Sequence, residues 1–430
     1  MRMNKEIAER IKMIKEGKVP DGYRKVRSGI IPNQWNEEKL RNLISELEGG
    51  VSVNSEDGRI NDRDFGVLKT GCVFEGTFKP QESKKIKADE IMRAKVNPKK
   101  GKIIVSRANT PELVGSVGLV DKDYNNLFLS DKLWQADYLV ELDARWLTNV
   151  LSSTKIRNRI TLLATGTSKS MQNISKESFL SLKIVVPHYE EQLEIANKLY
   201  LWDISIELKE KLLKEKQKQK KGLMEKLLSG KVRLSGFDKE WKTVKLGSVL
   251  DTINKESLDN PKDYNLLTVK LHVKGIEATN KKPNATEKGR PYYLRESGEL
   301  LIGRQNFHNG GIGIIPTDMN GYIASNAITS LKVIKGKLEF YFYYLSNKSF
   351  YKRVGNIIGG TGQKEISETM LKKLKITIPT EIEEQKQIAK IIKTSDKEIK
   401  LLKKEIEELK KQKKGLMQLL LTGIVRVKCD

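Results

Sequence analysis

The sequence predicts an α+β protein written twice. Two β-rich domains with some helix are separated by two long helices that form an antiparallel coiled coil, giving a pseudo-two-fold molecule. Three observations predict this. Glu191-Gln192 and Ile195-Ala196 recur as Glu384-Gln385 and Ile388-Ala389, and Lys221-Gly222-Leu223-Met224 recurs as Lys414-Gly415-Leu416-Met417. Leu227-Leu228, Gly230 and Val232-Arg233 recur as Leu420-Leu421, Gly423 and Val425-Arg426, all at one offset of 193 positions. A register held over roughly 40 residues marks a tandem repeat. Within the repeated segments apolar residues step by four and three, the seam of a paired helix. Outside them, short apolar runs such as Ile103-Ile104-Val105 and Leu300-Leu301-Ile302 are bounded by glycine and proline, which reads as strand.

In chain order, residues 1–24 are an N-terminal extension with no counterpart in the second half; Ile7, Ile11 and Ile14 suit a short amphipathic helix. Residues 25–188 form the first β-rich domain, and 189–230 the first long helix. Residues 231–380 form the second domain, in which Trp241, Lys245 and Leu246 answer Trp35, Lys39 and Leu40. Residues 381–430 are the second long helix and a tail. Each helix is approached through Gly-Thr (Gly166-Thr167, Gly360-Thr361), then Ile-Ser, then a short strand ending in Pro187 or Pro379.

In the first helix the seam runs Ile195, Leu199, Trp202, Ile206, Leu213, Leu223 and Leu227, with Lys209, Lys216 and Lys220 as polar interruptions. In the second it runs Ile388, Ile392, Ile399, Leu402, Ile406, Leu409, Leu416 and Leu420, with Ser395 and Lys413 filling the missing steps. At 1.5 Å per residue each helix is about 60 Å long. Gly230 and Gly423 are the expected helix stops. A stripe of this kind also suits a helix packed on its own domain; the length, the duplication and the scarcity of glycine and proline favour pairing. The tail Val425-Arg426-Val427 resembles the lead-in Lys25-Val26-Arg27, so the termini are expected to lie close together.

The chain has 430 residues, 80 Lys plus Arg against 55 Asp plus Glu, and a formal charge of +25, which favours an acidic partner, nucleic acid first. No apolar run is long enough to span a membrane, and the start is not that of a signal peptide. Cys72 and Cys429, far apart, do not make a disulfide scaffold, so a cytoplasmic location is the default. The glycines at 310, 311 and 313, and at 359, 360 and 362, have no Lys-Ser/Thr to grip phosphate. The three histidines, His188, His272 and His308, have no metal-ligand spacing. Asn97-Pro98-Lys99 and Asn260-Pro261-Lys262 are not the motif of an adenine methyltransferase. No catalytic, cofactor-binding or metal-binding residue is assigned.

These residues resemble the specificity subunit of type I restriction-modification systems from about residue 25 to the end. The resemblance rests on the stretch from Leu227-Leu228-Ser229-Gly230-Lys231-Val232-Arg233 through Gly236-Phe237 to Trp241 and Lys245-Leu246-Gly247, and on Glu-Gln-x-x-Ile-Ala at Glu191 and Glu384. It implies a chain without chemistry of its own, whose two target recognition domains each read one half of a split double-stranded DNA sequence. The helix pair sets the spacing and docks two modification (methyltransferase) subunits; two restriction subunits complete the assembly. S-adenosylmethionine, ATP and Mg are then expected on the partners and no cofactor on this chain. A change of one heptad would move a domain by about 10 Å, roughly three base pairs. The alternative is a basic coiled-coil scaffold indifferent to DNA sequence.

If the two half-sites differ, residues shared by both domains cannot encode the difference. Arg107 with Asn109, and Arg304 with Asn306, are therefore phosphate contacts or structural turns. The polar residues of the divergent stretches are the candidate readers: Lys79, Gln81, Lys84, Lys85, Lys87 and Arg93 within 74–95, and Lys274, Lys281, Lys282, Asn284, Lys288 and Arg290 within 272–293. Arg and Lys reach guanine edges, and Asn or Gln adenine edges, in the major groove. Most of the lysines are expected to meet only phosphate or water.

Overall fold

The structure is a computed structural model that describes residues 5–58, 60–61, 63–168, 171–279, 281–283, 290–358 and 365–428. Its helices are α1 (Lys5–Lys15), α2 (Ala144–Ser152), α3 (Thr154–Leu163), α4 (Lys176–Leu180), α5 (Tyr189–Leu227), α6 (Leu338–Ser346), α7 (Lys348–Ile357), α8 (Glu368–Lys373) and α9 (Ile382–Leu421). By compactness the chain forms two units: Met1–Leu208 with Ile406–Asp430, and Lys209–Glu405. Each unit thus takes half of each long helix. The first closes on the C-terminal segment: Tyr23 donates its hydroxyl to Gly423 O at 2.7 Å and Arg10 donates to Ile424 O at 2.8 Å.

The two units repeat one plan. In unit 1 the strand Ile103–Ser106 lies between Leu133–Tyr138 and Val117–Leu119, antiparallel to both. In unit 2 Leu300–Gly303 lies between Ile328–Val333 and Ile312–Ile314 in the same way. Successive side chains on a strand point to opposite faces. Ile103 and Val105 therefore enter the main core with Trp35, Trp146, Ile195 and Leu199, while Ile104 enters a second core with Leu68, Leu127 and Leu129. Leu300 and Ile302 join Phe307, Phe340 and Ile388, while Leu301 faces Leu267 and Ala324. Burial on both faces is why these strands read as unbroken apolar runs.

A short ribbon leads into each long helix. Asn36–Lys39 pairs antiparallel with Lys183–Val186, and Lys242–Lys245 with Lys375–Ile378. On the first ribbon Glu37 accepts from Lys183 Nζ at 2.8 Å and from Ser28 N at 2.7 Å. Burial alone would raise its pKa, but these donors overcome that and hold it at about 2, below the usual 4.5. A carboxylate depressed in the folded state stabilises above its unfolded pKa, and that stability is lost as pH falls from about 4.5 towards 2. Glu37→Gln is therefore expected to weaken unit 1 at neutral pH and to flatten its acid limb in that window. Melting curves of both proteins between pH 7 and 2 check this; identical acid limbs would remove Glu37 as a source.

Both long helices end on a left-handed glycine, Gly230 at φ +70° and Gly423 at φ +71°. The helices run antiparallel within each unit. In unit 2, Lys209 meets Glu405, Lys216 meets Glu398 and Lys220 meets Asp396, at 2.7, 3.0 and 2.5 Å. In unit 1, Lys413 meets Asp203, and further along Leu420 packs with Ile195 and Leu199. Each lysine that interrupts the seam is thus held by a carboxylate on the opposite helix. Charged steps of this kind fix register and direction, because a slip would face lysine with leucine. Every apolar seam position named above is buried or half-buried. The seam also has two environments: Ile195, Leu199 and Leu420 belong to one domain core, and Leu227, Ile388 and Ile392 to the other.

Candidate nucleic-acid interface

The residues repeated between the halves build the frame. Glu191, 2% exposed, accepts from Trp35 Nε1 at 2.8 Å and from Arg426 Nε and Nη2 at 2.6 and 2.8 Å. Glu384, 1% exposed, accepts from Trp241 Nε1 at 3.2 Å and from Arg233 Nε and Nη2 at 2.7 and 3.0 Å. A bidentate guanidinium plus an indole donor compensates a carboxylate removed from water. In each pair the arginine follows the end of one long helix and grips the first turn of the other. The glutamines beside them act alike. Gln192 accepts from Asp143 N and donates to Pro187 O, both at 3.1 Å; Gln385 accepts from Lys337 N at 3.1 Å and donates to Pro379 O at 3.0 Å. Asp143 and Lys337 are the N-caps of α2 and α6. The motif Glu-Gln-x-x-Ile-Ala is thereby accounted for: Glu and Gln tie the long helix to its domain, and Ile and Ala enter the core.

The divergent stretches lie largely on a second, outer sheet of four strands in each unit, although Phe74 and Gly76–Phe78 are on the six-stranded sheet of the core. In unit 1, Ser83–Ile86 sits between Gly66–Leu68 and Ser55–Glu56. In unit 2, Leu266–Val269 pairs with Ile276–Thr279 and with Ile323–Ser325.

Most of the candidate readers in unit 1 are already engaged. Lys84 pairs with Asp57 at 3.2 Å, Lys85 with Asp64 at 2.9 Å and Arg93 with Glu90 at 2.7 Å. The hydrogen bond between Lys85 and Asp64 raises the lysine pKa and lowers that of the carboxyl. Lys79 Nζ stands 5.7 Å from the centre of the Phe74 ring. Gln81 and Lys87 are exposed. In unit 2 Lys274, Lys281, Lys282 and Arg290 are exposed, Lys274 in the turn between two strands. Asn284 and Lys288, like Gly360-Thr361 and Cys429, lie outside the described residues.

The shared pairs differ between the halves. Asn109 is tied down locally: its Oδ1 accepts from Thr110 N at 2.9 Å and its Nδ2 donates to Ser106 Oγ at 3.3 Å. Asn306 is exposed on a short helical turn, Arg304–Asn309. Arg107 lies over Trp134, 5.8 Å from the ring centre, and Arg304 pairs with Glu365 at 3.0 Å.

At the hairpin tip of the second outer sheet, beside Lys274, stands a feature that the charge candidates did not include. There His272 and Val273 both adopt left-handed backbone, φ +58° and +55°, held by bonds from their N–H groups to Asn309 O and Gly310 O. For a β-branched residue this conformation is strained. No sequence signal marks it, because glycine or asparagine is what such a turn normally uses.

Among the described residues no group of three or more His, Cys, Asp or Glu is placed to hold a metal ion, and no helix is long and apolar enough to cross a membrane. The family model of the type I restriction modification DNA specificity domain matches residues 34–216 and again 238–411. The chain belongs to this family. The two matches fall on both units and take in most of each long helix, and they favour a specificity subunit over a scaffold indifferent to DNA sequence. The MjaVIII specificity subunit of a type I restriction enzyme from Methanocaldococcus jannaschii is 24% identical over 433 residues, 95% of this chain and 97% of that one. The type I restriction-modification S subunit from M. genitalium has the same fold, with a TM-score of 0.55 at 20% identity over 92% of this chain and 96% of the other. A chain from work on complex assembly and conformational transition of the type I R-M system gives 0.57 at 17% identity, over 92% and 99%. This specificity subunit thus carries two recognition domains on one duplicated frame.

Proposed function

We propose that the chain is the non-catalytic DNA-reading subunit of its complex. Each outer sheet reads one half of a bipartite double-stranded target, and the helix pair sets the spacer. The observation that carries this reading is the split between what is repeated and what is not. The Glu–Trp–Arg clamp, the glutamine ties and the helix stops occur twice with the same geometry, whereas the polar residues of the outer sheets differ. A frame built twice around unlike surfaces suits two unlike half-sites.

Two modification subunits dock on the helices in this reading. Leu208 on α5 and Leu401 on α9, equivalent at the 193-residue offset, are 59% and 67% exposed on faces turned away from the seam, and they supply matching apolar contacts. The modification subunits bring S-adenosylmethionine and methylate adenine; two restriction subunits bring ATP- and Mg-dependent cleavage. The assembly acts on DNA in the cytoplasm.

Adenine-methylation mapping by long-read sequencing tests this in a host carrying the neighbouring methyltransferase gene, with and without this chain. The expected result is a split motif with a fixed gap, methylated only when the chain is present. Replacing residues 74–95 by those of a relative with another target should change one half-site and leave the other. No chain-dependent methylation, with the methyltransferase shown to be folded, would return the scaffold reading; a change in both halves would overturn the assignment of one half-site to each domain.

A further inference from the structure

We propose that unit 1 carries a groove that docks an acidic amphipathic helix from another subunit, once per chain; this rests on the reading of the chain as one subunit of a complex.

The groove has a volume of about 550 Å³ and its floor is apolar, formed by Ile30, Ile156, Ile184, Met417 and Leu421. One wall is α1, through Ile14. Another is a single face of α9: Lys414, Met417, Gln418, Leu421 and Thr422 stand at i, i+3, i+4, i+7 and i+8. Eight residues of helix make that wall about 12 Å long. It is not the face of Leu416 and Leu420, which belongs to the seam. The last turns of α9 therefore have two apolar sides: Leu420 is buried in the seam, while Met417 and Leu421 pack on the domain core and also line the groove. A long apolar trough beside a helix is the shape that takes a second helix by its i, i+3, i+4, i+7 side chains.

The charge around the groove selects the partner. Lys155, Arg159, Lys183 and Lys414 line it, and among the described residues no Asp or Glu does. Lys183 is already held by Glu37 at 2.8 Å. Lys155 donates to the carbonyl of Ser28 and Arg159 to that of Lys183. Burial, then Arg159, push the Lys155 pKa down while Glu37 pulls it up, so a further carboxylate beside Lys155 would be welcome. An apolar helix flanked by Glu or Asp satisfies both the floor and the rim.

The second half presents a different face at this place. On α5 the corresponding face is Lys221, Met224, Glu225, Leu228 and Ser229, which carries a carboxylate, paired with Lys221, where α9 has Gln418. Of the elements that complete the groove, α1 lies in the extension, and the hairpin Tyr23–Val26 with Gly29–Pro32 has no counterpart after α5, where the next element is the strand Lys242–Lys245. The groove thus gives a use to the N-terminal extension that the duplicated frame leaves unexplained.

The test titrates the full chain with a labelled synthetic helix of about 18 residues, five turns, carrying leucines at i, i+3, i+4 and i+7 and glutamates on both flanks. A second peptide keeps the leucines and replaces each glutamate by lysine. The acidic peptide is expected to bind at one per chain and at least about tenfold tighter than the lysine peptide. Because the whole chain is basic, the decisive arm is local. Lys155→Glu with Lys414→Glu, and Lys414→Glu alone, should abolish the preference, whereas Lys348→Glu with Lys373→Glu should keep it. Met417→Asp should weaken binding by at least about tenfold. Two peptides per chain, equal loss with both pairs of reversals, or binding indifferent to Met417 would overturn the proposal. The methylation map does not depend on this site, so failure here and failure of the DNA-reading role are told apart.

Discussion

Arg426→Ala is expected to lower the melting temperature of unit 1 by about 6–12 °C. The reason is the charge left behind. Glu191 is 2% exposed and its two oxygens take both bonds from Arg426, leaving Trp35 as the sole remaining donor among those described. Removing one partner of a buried ion pair costs about 3–5 kcal/mol, because the other charge remains without compensation. Arg426 is one-third exposed, which places the cost near about 3 kcal/mol. For a unit of this size 1 kcal/mol moves the midpoint by about 2–4 °C. Arg233→Ala should act in the same way on unit 2 through Glu384. Glu191→Gln should cost less than Arg426→Ala: the amide keeps an acceptor for Trp35, and the freed guanidinium can turn to water. Calorimetric melts of the three variants check the order. A shift below about 2 °C for Arg426→Ala, or a larger loss for Glu191→Gln, would show that the clamp is not a source of stability.

Ile406→Asp is expected to separate the helix pair, at a cost of roughly 4 kcal/mol or more. Ile406 is 6% exposed at an apolar seam step, next to Glu405, whose carboxylate already takes the seam lysine Lys209 at 2.7 Å. An aspartate there is a second, buried carboxylate beside Glu405, competing with it for one lysine. Leu213→Asp and Leu409→Asp, at half-buried steps, should lose less, and Leu401→Asp on the exposed face should stay within about 0.5 kcal/mol. The readouts are the helical circular dichroism signal and the thermal midpoint. Equal effects at Ile406 and Leu401 would mean that the seam is not where the helices meet. In the complex, loss of the pair should also abolish the fixed gap of the methylated motif, since nothing else in the proposed mechanism sets it.

The frame was largely legible in the sequence because duplication preserves what packing requires. Trp35 with Trp241, Glu191 with Glu384, and Arg233 with Arg426 are repeated residues; Trp35, Glu191 and Arg426 form one clamp and Trp241, Glu384 and Arg233 the other. The seam was legible because a pair of long helices needs a period of four and three, which is a local property of the chain. The reading surface was less so. Sequence shows that Lys84, Lys85 and Arg93 are basic and lie in a divergent stretch, but not that Asp57, Asp64 and Glu90 pair with them. A charge in sequence is not a free charge in space. The strained tip at His272-Val273 gives no signal at all, because tertiary bonds to Asn309 and Gly310 override the local preference.

The sequence by itself determined the duplication, the two long helices, their glycine stops and the alternation of core strands, for these follow from spacing along the chain. Only the tertiary structure decided which residues close each unit. The partner of Glu191 is 235 positions away and that of Lys413 is 210 away. Contacts between segments so remote have no periodicity to betray them; they follow from where two antiparallel helices bring the ends of the chain.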